Sequence, residues 1–245
     1  MNDARLADLR EQAVRLGYGL QTMLPVSAIS APGLAPLAVP FRTLWLVCNT
    51  GDAVQRRWRA GRDIEVLLAD NAATGAGSCG PLDDFCRAEL GALLGTRAHR
   101  VLHPHPASTA PLPLLALLAA AGWLRPGPFM NTLHARYGSW WAVRAVIALD
   151  AGADAPGEAL GPSPCLDCSA PCVPACPAAA VGKPGWEAQR CLAQRVTIGS
   201  GCARRCIARE SCPAGREWRY EPATIAYHYG ASQQTLQRWR GGERA

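Results

Sequence analysis

Four cysteines fall within twelve positions in "PCLDCSAPCVPACPAAAV", residues 164–181, and a proline follows the last of them. Written as spacing the run is CxxCxxxCxxxCP, made by Cys165, Cys168, Cys172, Cys176 and Pro177. A second group follows: Cys191, Cys202, Cys206 and Cys212, again with a proline, Pro213, after its last member. Eight thiols in so short a stretch leave three chemistries open: disulfides, a zinc site, or iron and sulfur that carry electrons. Whichever holds, the chain from 164 to 215 has to fold around those sulfurs.

Compartment and spacing narrow the choice. The first residues, "MNDARLADLREQAVRLG", carry charges from position 3 onward and no apolar stretch, unlike a secretory signal or a transit peptide, so a cytoplasmic location is expected. Reducing compartments discourage structural disulfides and leave metal binding or redox chemistry as the usual reason for clustered thiols. Zinc accepts CxxC pairs and four thiolates. The proline after the last cysteine, the three short gaps and the pairing of eight thiols into two sets of four favour iron and sulfur. The bacterial ferredoxin run is CxxCxxCxxxCP, in which three close thiolates serve one [4Fe-4S] cube and the fourth reaches another. Here one extra residue separates the second and third cysteines.

Charge is consistent with that direction. The chain of 245 residues has a formal net charge of +6. Residues 1–182 hold 14 arginines against 14 acids, whereas residues 183–245 hold 11 basic residues against 5 acids, so the whole excess lies at the carboxyl end. Two oxidised cubes held by eight thiolates would change the formal charge by about −4. Arginines 190, 195, 204, 205 and 209 lie among the cysteines in sequence, placed either to offset that charge or simply to face solvent. Lys183 is the only lysine beside 24 arginines, which points to a GC-rich coding sequence and weakens any argument from arginine number to a nucleic-acid partner.

The front of the chain reads as alternating helix and strand. Leu6, Leu9, Ala13 and Leu16 recur at helical spacing, and "LPVSAISAPGLAPLAVP" then reads as irregular chain. "RTLWLVCNTG" (42–51) predicts a buried strand, and "DAVQRRWRAG" a short helix closed by Gly61. "PLDDFCRAELGALLG" (81–95) opens with proline and two acids, as a first helical turn should, with Leu82, Phe85, Leu90 and Leu93 as its apolar side. "HRVLH" (99–103) predicts a short strand. "APLPLLALLAAAGWL" (110–124) is too short to cross a bilayer and reads as a buried helix. From Trp140 to Leu149, alternation sets Trp141, Val143, Ala145, Ile147 and Leu149 on one face of a strand. Arg144 interrupts the other face, either pairing with a carboxylate or anchoring an anionic or amide-rich ligand.

Two segments resemble known families. "RCLAQRVTIGSGCARRCIARESCP" (190–213), after the first cysteine run, resembles the iron-sulfur module of the epoxyqueuosine reductases. "HARYGSWWAVRAVIAL", with "PLDDFCRAELGALL" and "HRVLH" before it, resembles the cobalamin-processing proteins of the cblC type. Both families share a flavin-reductase-like α+β fold that holds a corrinoid. The resemblance implies a flavin-reductase-like sheet-and-helix domain over 1–150, a linker over 151–163, a two-cluster ferredoxin-like module over 164–215 and a helical basic tail over 216–245. It implies Cys165, Cys168, Cys172 and Cys212 on one [4Fe-4S] cluster and Cys176, Cys191, Cys202 and Cys206 on the other. The gaps before Cys172, between Cys202 and Cys206, and before Cys212 are wider than in that pattern. For a bound cobalamin it implies Arg144 in the ligand pocket, with His134, Tyr137 and Trp140 on the neighbouring wall. The acidic catalytic segment of an epoxyqueuosine reductase has no counterpart, so reduction of a tRNA base is not expected.

The expectation is therefore a redox protein passing electrons to a corrinoid, charged by a ferredoxin or a flavin reductase. Its rivals are a redox-sensing DNA-binding regulator and a zinc-stabilised interaction protein. "HPHP" (103–106) reads as a stiff loop or a metal-binding imidazole pair, Cys48 as a core residue, and Cys79 and Cys86 receive no role. "ATIAYHYGASQQTLQRWRG" (223–241) has the residue placement of a helix-turn-helix in which Gln233, Gln234 and Arg238 face bases. The alternative, which we prefer, is one helix packed on the cysteine module, with neither nucleic acid nor membrane as a partner.

Overall fold

The apolar run at 44–48 lies on a strand in the middle of a sheet, as a stretch without a polar face requires. The computed structural model describes residues 3–29, 34, 38–74, 79–104, 112–129, 132–153, 161–182 and 185–240. His105, most of the expected linker (154–160) and the chain beyond 240 lie outside the described residues. In chain order the elements are α1 (Asp3–Arg15), β1 (Leu20–Pro25), β2 (Thr43–Thr50), α2 (Ala53–Arg59), α3 (Ile64–Ala72), α4 (Pro81–Leu94), β3 (His99–His103), α5 (Leu114–Ala120) and β4 (Trp141–Leu149). Then come α6 (Cys172–Ala175), β5 (Val181–Gly182), β6 (Gly185–Trp186), α7 (Ala188–Val196), α8 (Ile207–Ser211) and α9 (Pro222–Arg240). Together they make a mixed fold with a small sheet and several helices.

The chain forms two compact units that are not its two halves. One comprises 1–58, 74–124 and 141–160; the other comprises 59–73, 125–140 and 161–245. Two segments expected within a domain over 1–150 thus belong with the cysteines. The chain passes from one unit to the other between Trp140 and Trp141.

The first unit is built on an antiparallel sheet of order β1-β2-β4-β3. Every residue of β2 is buried, and so are Arg144 to Leu149 of β4. The pairing runs from Thr43 opposite Leu149 to Thr50 opposite Trp141, with one slip: Val47 faces Ala145 and Cys48 faces Val143. Arg144 is the extra residue of that bulge, so simple alternation does not fix its direction. Helix α1 buries Leu6, Leu9 and Ala13, and α4 buries Leu82, Cys86, Leu90 and Leu94. The α4 stripe is therefore turned from the expected one. Cys86 and Leu94 are inside, and Phe85 and Leu93 are only partly covered, because a strict four-residue spacing follows the helix ridge that meets its neighbours. Strand β1 was not expected: "LQTMLP" mixes polar residues and proline, and its identity as a strand comes from pairing with β2. Helix α5 is buried on one side only, through Leu117 and Leu118, with Leu115 exposed.

In the second unit the last helix packs on α3 and α7. Residues 222–240 form a single helix, so the helix-turn-helix pattern is not realised. Gly230 lies inside it; a β-carbon there would come within 2.9 Å of the Leu68 side chain, so glycine permits the close approach of α3. Around it, Gln234 Nε2 donates to the Leu68 carbonyl (3.0 Å) and Asn71 Nδ2 donates to Gln234 Oε1 (2.9 Å). Gln233 donates to the Arg195 carbonyl, so two of the residues expected to read bases are engaged with protein. Among the described residues no helix is long and apolar enough to cross a membrane.

Candidate functional site

The cysteines of the second unit separate into two sets of four, each around its own cavity. The first cavity, of ≈ 260 Å³, is lined by Cys165, Cys168, Cys172 and Cys212. The second, of ≈ 230 Å³, is lined by Cys176, Cys191, Cys202 and Cys206. No disulfide joins any of the chain's cysteines. Among the described residues, no three His, Cys, Asp or Glu side chains are gathered as they would be around a single metal ion.

Two short helices produce this division. Cys172 is the first residue of α6 and faces the first cavity; Cys176 caps its carboxyl end and faces the second. Helix α8 runs the other way between cavities, with Cys206 as its amino cap on the second and Cys212 as its carboxyl cap on the first. Pro177 and Pro213 follow these caps and stop each helix, each lining the same cavity as the cysteine before it. Between the helices lies a small core of Cys172, Val181 and Ala208, with Phe129 and Val173 packed on it. The extra residue before Cys172 is taken up by a kink at Ala170, whose φ of 56° lies in the left-handed region, and whose N–H points to Cys168 Sγ at 3.4 Å.

Burial dominates the electrostatics of these thiols. It raises Cys165, Cys191, Cys202 and Cys212 above the ordinary thiol range and Cys172 to about 11, with neighbouring cysteines adding to the shift. The walls differ in charge. The first cavity is lined, apart from its cysteines, by Phe129, prolines, glycines and alanines. The second carries Arg195, Arg205 and Arg209 with Trp186 and Tyr229. Trp186 hydrogen-bonds to Cys191, and the Arg209 N–H points to Cys206 Sγ at 3.4 Å.

The residues expected around a corrinoid are divided between the units. Arg144, in the sheet unit, is buried and donates through Nε to Asn49 Oδ1 at 2.7 Å, with Asp83 Oδ1 at 3.4 Å from Nη1. It thus has the carboxylate partner that one of its two readings required. His103 belongs to the same polar group: burial lowers its pKa, with Asp83 raising it and Arg144 lowering it. His134, Tyr137 and Trp140 are in the cysteine unit. His134 Nδ1 accepts from the backbone N–H groups of Arg136 and Tyr137, and the Tyr137 ring packs edge-on to Trp218. Trp140 is fully buried beside Tyr220 and Ile225, under the Arg209 guanidinium at 4.3 Å, so it forms core rather than an open wall.

The "HARYGSW" segment instead supports the chain around Cys212. Gly138, at φ 55°, lies against Ala214: a β-carbon there would sit 2.6 Å from the Ala214 carbonyl carbon. A β-carbon on Gly215 would sit 2.5 Å from Gly138 N. Arg209 ties the same segments together, donating to Ser139 Oγ at 3.1 Å and to its carbonyl at 2.6 Å. Sequence reading did not anticipate this role.

Known proteins bear on the fold. No family model and no curated protein matches the chain. A solved structure does: the C. elegans B12-trafficking protein CblC, a homologue of human MMACHC, aligns over 97% of both chains with a TM-score of 0.50 and 16% identity. The fold is similar to that of CblC. This agrees with the cblC-type resemblance of the front half and with the mixed sheet-and-helix class. At 16% identity the likeness to CblC concerns the fold, and handling of B12 is a property of that protein.

Proposed function

We propose that this chain is an iron-sulfur redox protein that passes electrons to a bound corrinoid. The observation that supports it most is the sorting of eight cysteines into two four-thiol cavities, with α6 and α8 each contributing one cysteine to either side. Four thiols lining a cavity of ≈ 260 Å³ and four lining one of ≈ 230 Å³ suit a polynuclear centre better than a single zinc ion. In this reading Cys165, Cys168, Cys172 and Cys212 hold one [4Fe-4S] cluster and Cys176, Cys191, Cys202 and Cys206 the other. The clusters supply one-electron storage and the corrinoid supplies the reactive metal.

The chain's own residues do the rest. Phe129 and the prolines of the first wall keep water from the thiolates, and Arg195 and Arg209 of the second offset their charge. In the sheet unit, Arg144 and Asn49 are the buried polar pair suited to orient an amide-rich ligand. The CblC-like fold supports a corrinoid as that ligand. A ferredoxin or a flavin reductase is the electron donor we propose.

The test uses the full chain purified without oxygen. Cobalamin titrated at micromolar concentration should shift to the spectrum of its base-off form, and the dithionite-reduced, desalted protein should then reduce it. A spectrum unchanged by the protein would remove the corrinoid. A colourless preparation containing zinc would remove the clusters.

A further inference from the structure

Three arginines line the second cavity, but only two bring an uncompensated charge to it. Arg205 is neutralised: its Nη2 and Nε lie 2.7 and 2.9 Å from the two carboxylate oxygens of Glu210. Arg195 donates to the Tyr229 carbonyl at 2.9 Å and to Ser232 Oγ at 3.1 Å, and its Nε–H is buried without a protein partner. The Arg209 side chain donates to Ser139, hydrogen-bonds the Tyr229 hydroxyl and lies over the rings of Trp140 and Tyr220. All these partners are uncharged. Two half-buried cations without a carboxylate are costly unless a negative group shares the cavity. Four thiolates around an oxidised [4Fe-4S] core leave a net charge of about −2, which two arginines balance.

The first cavity has no such provision. None of its lining residues other than cysteine is ionisable. Arg219 acts on Cys212 from beyond the wall, held by the Glu210 carbonyl. Added negative charge is therefore opposed more strongly in the first cavity than in the second.

From this asymmetry, and resting on the two-cluster reading above, we propose that Arg195 and Arg209 make the cluster of Cys176, Cys191, Cys202 and Cys206 the higher-potential one. An electron delivered by a low-potential one-electron donor comes to rest there. One iron-sulfur core gains that electron and the donor loses it; no bond is made or broken. Arg195 and Arg209 are positioning residues for charge and form no bond to iron.

The experiment is a mediated redox titration of the anaerobic full chain, with dithionite as reductant and electron paramagnetic resonance as the readout. The native chain should show two transitions, and Cys191→Ser, which changes a ligand of the second cavity alone, should abolish the upper one. Arg195→Gln should make the upper transition at least tenfold harder to reduce at fixed potential, 59 mV for one electron. The lower transition should stay where it was. Arg195→Lys, which keeps the charge, should restore most of the shift, and the double change Arg205→Gln with Glu210→Gln, which removes a neutral pair, should leave both transitions in place. Arg209→Gln provides a second, independent removal of charge. The proposal is overturned if Cys191→Ser removes the lower transition, or if iron-replete Arg195→Gln and Arg209→Gln leave the upper one unmoved. A chain without iron would instead overturn the two-cluster reading on which this one stands.

Discussion

Replacing Gly138 by alanine tests how the cysteine unit is held together. The cost has two parts that the structure separates. The first is conformational: at φ 55° a β-carbon costs about 1–2 kcal/mol. The second is contact: the new carbon would lie 2.6 Å from the Ala214 carbonyl carbon and closer still to its oxygen, and those neighbours are backbone. Gly215, also at positive φ, meets Gly138 from the other side, so neither strand can yield without moving the chain after Cys212. Parting the strands disturbs the paired His134 and Gly138 backbone bonds (2.9 and 2.8 Å) and the Arg209 bonds to Ser139. At about 1 kcal/mol each, losing two or three of them brings the total to about 3–5 kcal/mol. Gly61 supplies the control, since its φ is 78° but a β-carbon there would meet nothing within 4 Å. Urea unfolding of the full chain should show Gly138→Ala losing about 2–3 kcal/mol more than Gly61→Ala. Equal losses would refute the role given to this approach.

Other substitutions probe separate parts of the fold. Ala60, exposed at φ 46° just past α2, should tolerate glycine with a gain of about 0.5–1 kcal/mol, seen as a higher urea midpoint. Arg144→Ala should cost about 3 kcal/mol because it strands Asn49 and Asp83, and should weaken cobalamin binding in the chain that remains folded; unchanged affinity would make Arg144 purely structural. Burial raises the Cys86 thiol from 9.0 to about 11. Below pH 9 the thiol is protonated in both folded and unfolded chains and its contribution is intact. Above pH 9 the unfolded chain ionises first, so stability falls, by about 2 kcal/mol at pH 11. Cys48 acts in the same direction, and Cys86→Ala should lose less than the native chain when unfolding is measured at pH 8 and pH 10.5.

What the sequence made legible was local. The strand at 43–50 shows itself by its continuous apolar stretch, and the helix at 81–94 by its opening proline and acids. The two sets of four thiols were implied by the resemblance to the reductase module rather than by spacing alone, and the helices α6 and α8 that run between the two cavities were not anticipated. Strand β1 was missed because its pattern is weak and its pairing lies across twenty residues of chain. The membership of 125–140 in the cysteine unit was hidden for the same reason: Gly138 against Ala214 and Arg209 against Ser139 are contacts over some seventy positions. No local pattern distinguishes Arg205, which Glu210 neutralises, from Arg195 and Arg209, whose partners are uncharged. The tail forms the single helix preferred from its sequence, and Gly230 admits a neighbouring helix rather than making a turn.

The most direct test of the central claim is the amount of iron and acid-labile sulfide per chain in the anaerobic full-length protein and in two single variants. We expect about eight of each in the native chain and about four in both Cys165→Ser and Cys191→Ser, because each change touches one cavity only. One zinc and no sulfide, or a native iron content unaltered by either substitution, would contradict it.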